Sequence, residues 1–236
     1  MSRTAIVAGV GPGLGESIAR TFAAEGCEVG LFARSAEYIE ELADDLGESA
    51  GDGLAVPTDL ADPNQIAAGF DRVRDAFGSV DVLVYNASAA PWKGLRAVGD
   101  AEFETALDVG PRGALHCSQQ AVEDMLASDG GTVVFTGATS SVRGKDGAIG
   151  FSAAKFAVRG MAESMARELG PDGVHVAHVV VDGQILTPDA ADRAGDRPEE
   201  AFLDPDEIAN EYWHLVEQDR SAWTLELDLR PHVEEF

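Results

Sequence analysis

The chain has 236 residues, 45% of them apolar, and sets 42 Asp+Glu against 17 Lys+Arg for a formal charge of −25. That charge excludes a nucleic-acid binder working through a basic face, because phosphate affinity comes from cations on the protein, and the apolar share excludes a chain too polar to fold. The cations are lopsided: Lys93, Lys145 and Lys155 are lysines and the other fourteen are arginines. An acidic, lysine-poor surface of this kind fits a protein of a high-salt cytosol, where salt screens its self-repulsion.

Apolar stretches of strand length alternate with longer segments of helical period, the pattern of a doubly wound α/β sheet. In chain order the sequence predicts strand Thr4–Ala8, helix Leu14–Glu25, strand Glu28–Ala33, helix Ala36–Leu46, strand Leu54–Pro57 and helix Pro63–Phe77. It continues with strand Val80–Tyr85, helix Ala101–Ala127, strand Thr132–Thr136, helix Gly150–Leu169, strand Val174–Val181, helix Pro205–Glu217 and strand Trp223–Leu229. Seven strands suit one sheet, so residues 1–236 are expected to form a single domain. Asp62-Pro63 and Asp204-Pro205 each supply an N-cap acceptor followed by proline at the first helical position. Gly26, Gly47, Gly78 and Gly170 stand where left-handed caps would stop helices. Residues 187–203 read as an irregular loop after the sixth strand, either a lid over a substrate or a surface excursion.

Cys27 and Cys117 lie far apart without a motif, which implies neither a disulfide framework nor a cysteine metal site and points to a reducing cytoplasm. The opening apolar run is too short for a secretory signal, and nothing later approaches the ~18 apolar residues of a membrane span. No metal is expected. His175 and His178 sit on one strand at an odd offset and so point to opposite faces. Ser-His-Asp hydrolysis lacks a nucleophile-elbow pattern.

The first strand runs into Gly9-Val10-Gly11-Pro12-Gly13-Leu14-Gly15 and then a helix. Glycines at a strand-to-helix junction let the backbone turn tightly and approach a pyrophosphate, with helix amides facing the anion. At the end of the second strand an acidic residue would bind the ribose hydroxyls of NAD. Ala33 stands there instead, followed by Arg34, whose guanidinium can pair with the 2′-phosphate of NADP while Ser35 adds a hydrogen bond. The competing reading is a solvated arginine near a helix start.

The spacing Gly9-x-x-x-Gly13-x-Gly15 resembles the phosphate turn of short-chain dehydrogenases/reductases, and the resemblance extends over roughly residues 4–230. Thr58-Asp59-Leu60 resembles the segment whose Asp binds the adenine amino group, and Asn86-Ala87 the retained part of the segment after the fourth strand. Asp182-Gly183-Gln184-Ile185-Leu186-Thr187 resembles the turn after the sixth strand, where Thr187 would contact the nicotinamide amide or the diphosphate. What this implies is a Rossmann-type doubly wound parallel seven-stranded fold that binds NADP(H) in preference to NAD(H) and acts on a small-molecule substrate. The resemblance also implies a homodimer or homotetramer that forms through the long helices around 101–127 and 150–169.

The family's catalytic set is a Tyr four residues before a Lys, a Ser thirteen residues before that Tyr, and an Asn on the preceding long helix. Here those positions hold Phe151, Ala138 and Gly110, and only Lys155 remains. A lysine kept in a chain that has nearly eliminated lysine suggests an ammonium bound to ribose hydroxyls. Loss of the general acid costs ~10²–10⁴ in rate, so a substitute is needed. Thr139, Ser140 and Ser141 follow the vacant Ser position, and Tyr85 offers a phenol at the end of the fourth strand, although a strand-buried Tyr is more often core. Two functions stay open: an oxidoreductase with a non-standard proton donor, or a non-catalytic NADP(H)-binding sensor or regulatory protein.

Overall fold

The structure is a computed structural model that describes residues 2–188, 190, 195 and 197–234. The chain passes through β1 (Thr4–Ala8), α1 (Leu14–Ala24), β2 (Glu28–Ala33), α2 (Ala36–Leu46), β3 (Asp52–Pro57), α3 (Pro63–Phe77) and β4 (Val82–Tyr85). It continues through α4 (Asp100–Leu107), α5 (Gly113–Ala127), β5 (Gly131–Thr136), α6 (Ile149–Leu169) and β6 (Val174–Val181). β7 (Gln184–Ile185), β8 (Phe202–Leu203), α7 (Pro205–Val216) and β9 (Glu226–Leu229) complete it.

Seven strands form one parallel sheet in the order β3-β2-β1-β4-β5-β6-β9. Parallel strands need crossover helices, and those helices cover both faces, which is why the central strands read as continuous apolar runs. Against one face pack Phe22 of α1, Ile39 and Leu42 of α2, and Tyr212 and Leu215 of α7. Against the other pack Phe70 and Val73 of α3, Met125 of α5 and Val158 of α6. Strand order reverses between β1 and β4, so loops diverge at their carboxyl ends and leave a crevice. No helix among the described residues is long and apolar enough to cross a membrane.

The helix predicted over Ala101–Ala127 is interrupted. Asp108–Arg112 forms a π turn between α4 and α5, because Pro111 has no N–H to give to a helical carbonyl. The phenol of Tyr85 donates to the Val109 carbonyl within that turn, and a Cβ on Gly113 would collide with the Tyr85 hydroxyl. The last strand starts at Glu226 rather than at the predicted Trp223 because the chain before it is tied back to Gln218: Thr224 N–H donates to Gln218 Oε1 at 2.8 Å and Trp223 Nε1–H to Gln218 O at 3.3 Å. Both predicted proline-led N-caps form: Asp62 accepts from Asn64 N–H and Asp204 from Asp206 N–H, each at 2.9 Å. Gly26 takes a positive φ of 85° and Gly78 one of 95°, although the ψ of −161° at Gly78 is extended rather than left-handed helical, whereas Gly47 and Gly170 stay right-handed at −61° and −54°. In the second case the chain continues as a 3₁₀ turn, and Gly173, at φ 89°, supplies the left-handed stop.

The predicted lid over 187–203 is bounded by the β7–β8 pairing, with Leu186 N–H donating to Leu203 O at 2.8 Å. Residues 189, 191–194 and 196 of that loop lie outside the described residues.

Candidate active site

At the end of β1 the chain turns so sharply that Gly9 and Val10 both donate to Phe32 O, at 2.9 and 3.0 Å. Gly9 has φ 105°, and a Cβ there would fall 2.6 Å from the Ala87 nitrogen. A Cβ on Gly15 would fall 2.5 Å from Gly9 O, and Asn86 Nδ2 donates to that same oxygen at 2.8 Å. The turn and the β4 loop are therefore held in close backbone contact, as only glycine permits. Gly11 is different. Nothing lies within 4 Å of a Cβ placed on it, and its backbone faces the open crevice. α1 begins without a side-chain cap, and since Glu16 N–H already donates to Gly11 O at 3.2 Å, the Leu14 and Gly15 amides of its first turn are the ones left for an anion. The one acid in that turn, Glu16, is engaged by Arg20 at 2.8 Å and by the Tyr38 hydroxyl.

The crevice holds about 610 Å³. Gly9, Gly11, Leu14 and Gly15 form its floor, and Arg34, Asp59 and Leu60 line it at the β2–β3 end. Asn86, Ala87 and Ile185 close the other end, so ten of the predicted cofactor residues meet in one cavity. Gly13 and Thr187 meet at its margin, where a Cβ on Gly13 would lie 2.6 Å from Thr187 Cγ2. The Thr187 hydroxyl accepts from Ala190 N–H at 3.1 Å. Ser35 is the exposed N-cap of α2 and makes no side-chain cap bond. Asp59 Oδ1 accepts from Ala61 N–H at 3.0 Å. Among the described residues Arg34 has no hydrogen-bond or ion-pair partner.

Ala87, Ser88 and Ala89 also line a small cavity of about 10 Å³, room for roughly one water, and its far wall is Phe151, Ala154 and Lys155. Lys155 is 6% exposed, its Nζ donates to Thr136 O at 2.7 Å, and it lies 5.7 Å from the Phe151 ring centroid. Burial without a carboxylate partner pushes its pKa down to about 8. The positions without a catalytic group are filled by packing. Phe151 meets Trp92 at 5.3 Å between centroids, and a Cβ on Gly110 would come within 2.9 Å of Ala154 Cβ. Tyr85 is core: burial holds its phenol well above the ordinary range, and its proton goes to Val109 O.

The hydroxyls after the vacant Ser position are engaged locally. Ser141 Oγ accepts from Ala138 N–H at 3.1 Å, and Thr139 donates to Asp182 Oδ1. Thr139 and Gly183 line a third cavity of about 780 Å³, which meets the crevice at Ile185. Sequence reasoning missed two features. Ser88, exposed on the wall shared by the crevice and the Lys155 cavity, has no hydrogen-bond partner among the described residues. Asp182, 4% exposed, is clamped by Arg230 at 3.2 Å and approached by Arg143 at 3.6 Å. Neither arginine is near it in sequence, so only the fold could reveal the clamp.

A strand-glycine-turn-helix unit at the switch point of a parallel sheet, continuous with a buried lysine, defines a nucleotide-binding α/β protein. Residues 3–197 match the short chain dehydrogenase family model, and the chain belongs to the short-chain dehydrogenase/reductase family. The 3-oxoacyl-(acyl-carrier-protein) reductase FabG of Staphylococcus aureus is 31% identical over 204 residues, covering 86% of this chain and 82% of that protein. A short-chain dehydrogenase from Rhodopseudomonas palustris superposes with a TM-score of 0.84 at 31% identity, over 98% of this chain and 99% of that one. L-Sorbose reductase from Gluconobacter frateurii, solved with NADPH and L-sorbose, has a TM-score of 0.89 at 24% identity, over 98% of this chain and 95% of that one.

Proposed function

We propose that the chain is an NADP(H)-dependent oxidoreductase acting on a small carbonyl compound or alcohol, with a proton donor other than tyrosine. The observation that carries this reading is the continuity of the glycine-floored crevice with the cavity reached by Lys155, through Ala87 and Ser88. The residues present suit a dinucleotide: Gly11 leaves open space, the uncapped α1 amides would hold the pyrophosphate, and Arg34 would hold a 2′-phosphate. When bound, the nicotinamide supplies or accepts the hydride. The chain's own task is to orient substrate and move one proton.

Lys155 suits that task. With its pKa near 8, ammonium and amine coexist around neutral pH, the condition under which a buried lysine transfers protons well. Thr139 and Ser141 remain candidates as donors, but each hydroxyl already has a partner. Ser88 is placed to relay a proton between Lys155 and the crevice.

The assay is NADPH oxidation in molar salt, as the acidic composition suggests, with a panel of aldehydes and ketones. The wild type is expected to turn over, Lys155→Met to lose activity, and Phe151→Tyr to gain on the order of 10²-fold from a restored phenol. Tight NADPH binding with no turnover by the wild type would instead establish the second reading, a redox-dependent sensor, which Phe151, Ala138 and Gly110 favour. We further propose a cytoplasmic homo-oligomer, because Leu115 of α5 and Phe156 of α6 are 44% and 43% exposed on the two long helices.

A further inference from the structure

In a chain with 42 carboxylates and 17 cations, a cation has every opportunity to find an acid. Arg3, Arg20, Arg74, Arg112, Arg159 and Arg167 each do so. Arg34, Arg72, Arg96 and Arg220 pair with no carboxylate among the described residues, but they are scattered, whereas the cavity of about 780 Å³ beyond Ile185 gathers three cations, Arg143, Lys145 and Arg197, in one lining. Among the described residues Lys145 pairs with no carboxylate; its Nζ lies 5.1 Å from the centroid of the Trp92 ring. Among the described residues Arg197 meets only neutral acceptors, Gln184 Oε1 at 2.8 Å and Ala201 O at 3.3 Å, and lies 4.9 Å from the Phe202 ring centroid. Arg143 stands 3.6 Å from Asp182, whose carboxylate Arg230 and Thr139 already hold. The cavity's other acids are Asp146 and Glu234, so its lining charges balance in a molecule that is otherwise strongly negative.

Trp92, 60% exposed, and Ile185 are the apolar side chains of this lining, and the Trp92 ring packs on Phe151 at 5.3 Å between centroids. In molar salt the Debye length is only about 3 Å, so charge recognition must come from direct contact rather than long-range steering. A guanidinium or ammonium that keeps its donors for an incoming anion satisfies that condition.

We propose that this cavity is the substrate site and that the substrate carries an anionic group, carboxylate or phosphate, gripped by Lys145, Arg143 and Arg197, with its apolar part against Trp92 and Ile185. This rests on the oxidoreductase reading, and the test separates the two. Calorimetric titration of the NADP⁺-loaded protein in molar salt would use laevulinate and its longer oxo-acid homologues, their methyl esters and their phosphonate isosteres. At least one acid is expected to bind about tenfold tighter than its ester. Lys145→Gln and Arg197→Gln should each remove most of that margin while NADP⁺ affinity is kept. A phosphonate tighter than its acid would assign the anion as phosphate, and the reverse order as carboxylate. Equal binding of acids and esters, equal loss of both in the variants, or no binding by any probe would overturn the proposal. NADPH oxidation run in parallel distinguishes the failures: turnover without anion preference removes only the anion site, and anion-selective binding without turnover removes only the oxidoreductase reading.

Discussion

The glycine turn and the β5–α6 side of the site are built differently. At the turn, Gly9, Gly15 and Asn86 hold close backbone contacts that suit a dinucleotide, while on the β5–α6 side Ala138 and Phe151 carry no group for proton transfer and Lys155 is buried beside them. The first end would hold a dinucleotide through backbone amides, which work only where no Cβ intrudes, and substitution at Gly9 or Gly15 collides with backbone. The second would work through side-chain tips, and these can be exchanged without unfolding anything. Phe151 keeps its ring packing against Trp92, and the Cβ of Ala154 fills the space beside Gly110.

The largest expected effect tests the backbone end. Gly11 has no atom within 4 Å of the place a Cβ would take and no left-handed φ, so Gly11→Val should fold normally yet place its side chain in the crevice. NADP⁺ affinity should fall by more than about 100-fold, or 2.7 kcal/mol, with an unchanged melting temperature. Retained binding would show that the pyrophosphate does not approach this turn.

The next tests the side-chain end. The folded pKa of Lys155, about 8, lies below the ordinary lysine value of 10.5. Between those pH values the unfolded chain holds the extra proton, so stability rises with pH across this window, and the burial cost is fully present below pH 8. Without cofactor, Lys155→Met should therefore be more stable than wild type at pH 7, by up to about 3 kcal/mol. That margin should shrink through the window and vanish near the upper pH. Guanidinium unfolding across pH reads it, and a pH-independent margin would refute a charged, desolvated ammonium.

A third prediction concerns restoring the lost asparagine. Gly110→Asn places its Cβ 2.9 Å from Ala154 Cβ, and overpacking of this kind typically costs about 1–3 kcal/mol. Ala154→Gly should recover most of the loss. An undisturbed melting temperature in the single variant would mean that α6 yields more easily than close packing allows.

The same difference governs how far the sequence could be read. Strand and helix periods, proline-led caps and the glycine turn are local signals, and they located β1, β2, β6, α2 and α3 to the residue. The π turn at Asp108–Arg112 was signalled only by Pro111, which the apolar periodicity around it masked. The Asp182 clamp joins residues 143, 182 and 230, a pairing made by the sheet's topology and by no spacing along the chain. Ser88 stands beside Asn86 and Ala87 with no spacing signal of its own, and its place on the wall shared with Lys155 depends on α6 packing across the β4 loop.

The smallest effect is the one that most sharpens the comparison, because Arg34 is a side-chain tip at the backbone end. It follows Ala33 at the end of β2, lines the crevice beside Asp59, and has no partner among the described residues. A guanidinium–phosphate contact is charge-assisted and bidentate, and hydrogen bonds to charged groups contribute about 1.5–3 kcal/mol. Asp59 faces the same cavity and Arg34 is exposed to solvent, so the lower figure applies. Arg34→Ala should weaken NADP⁺ about tenfold and leave NAD⁺ almost unchanged, and Ser35→Ala, which removes one neutral donor, should do the same more weakly. Calorimetry with both cofactors decides it. If the wild type binds NAD⁺ more tightly than NADP⁺, Arg34 is a solvated surface residue, and cofactor choice must come from the Ala33 position alone.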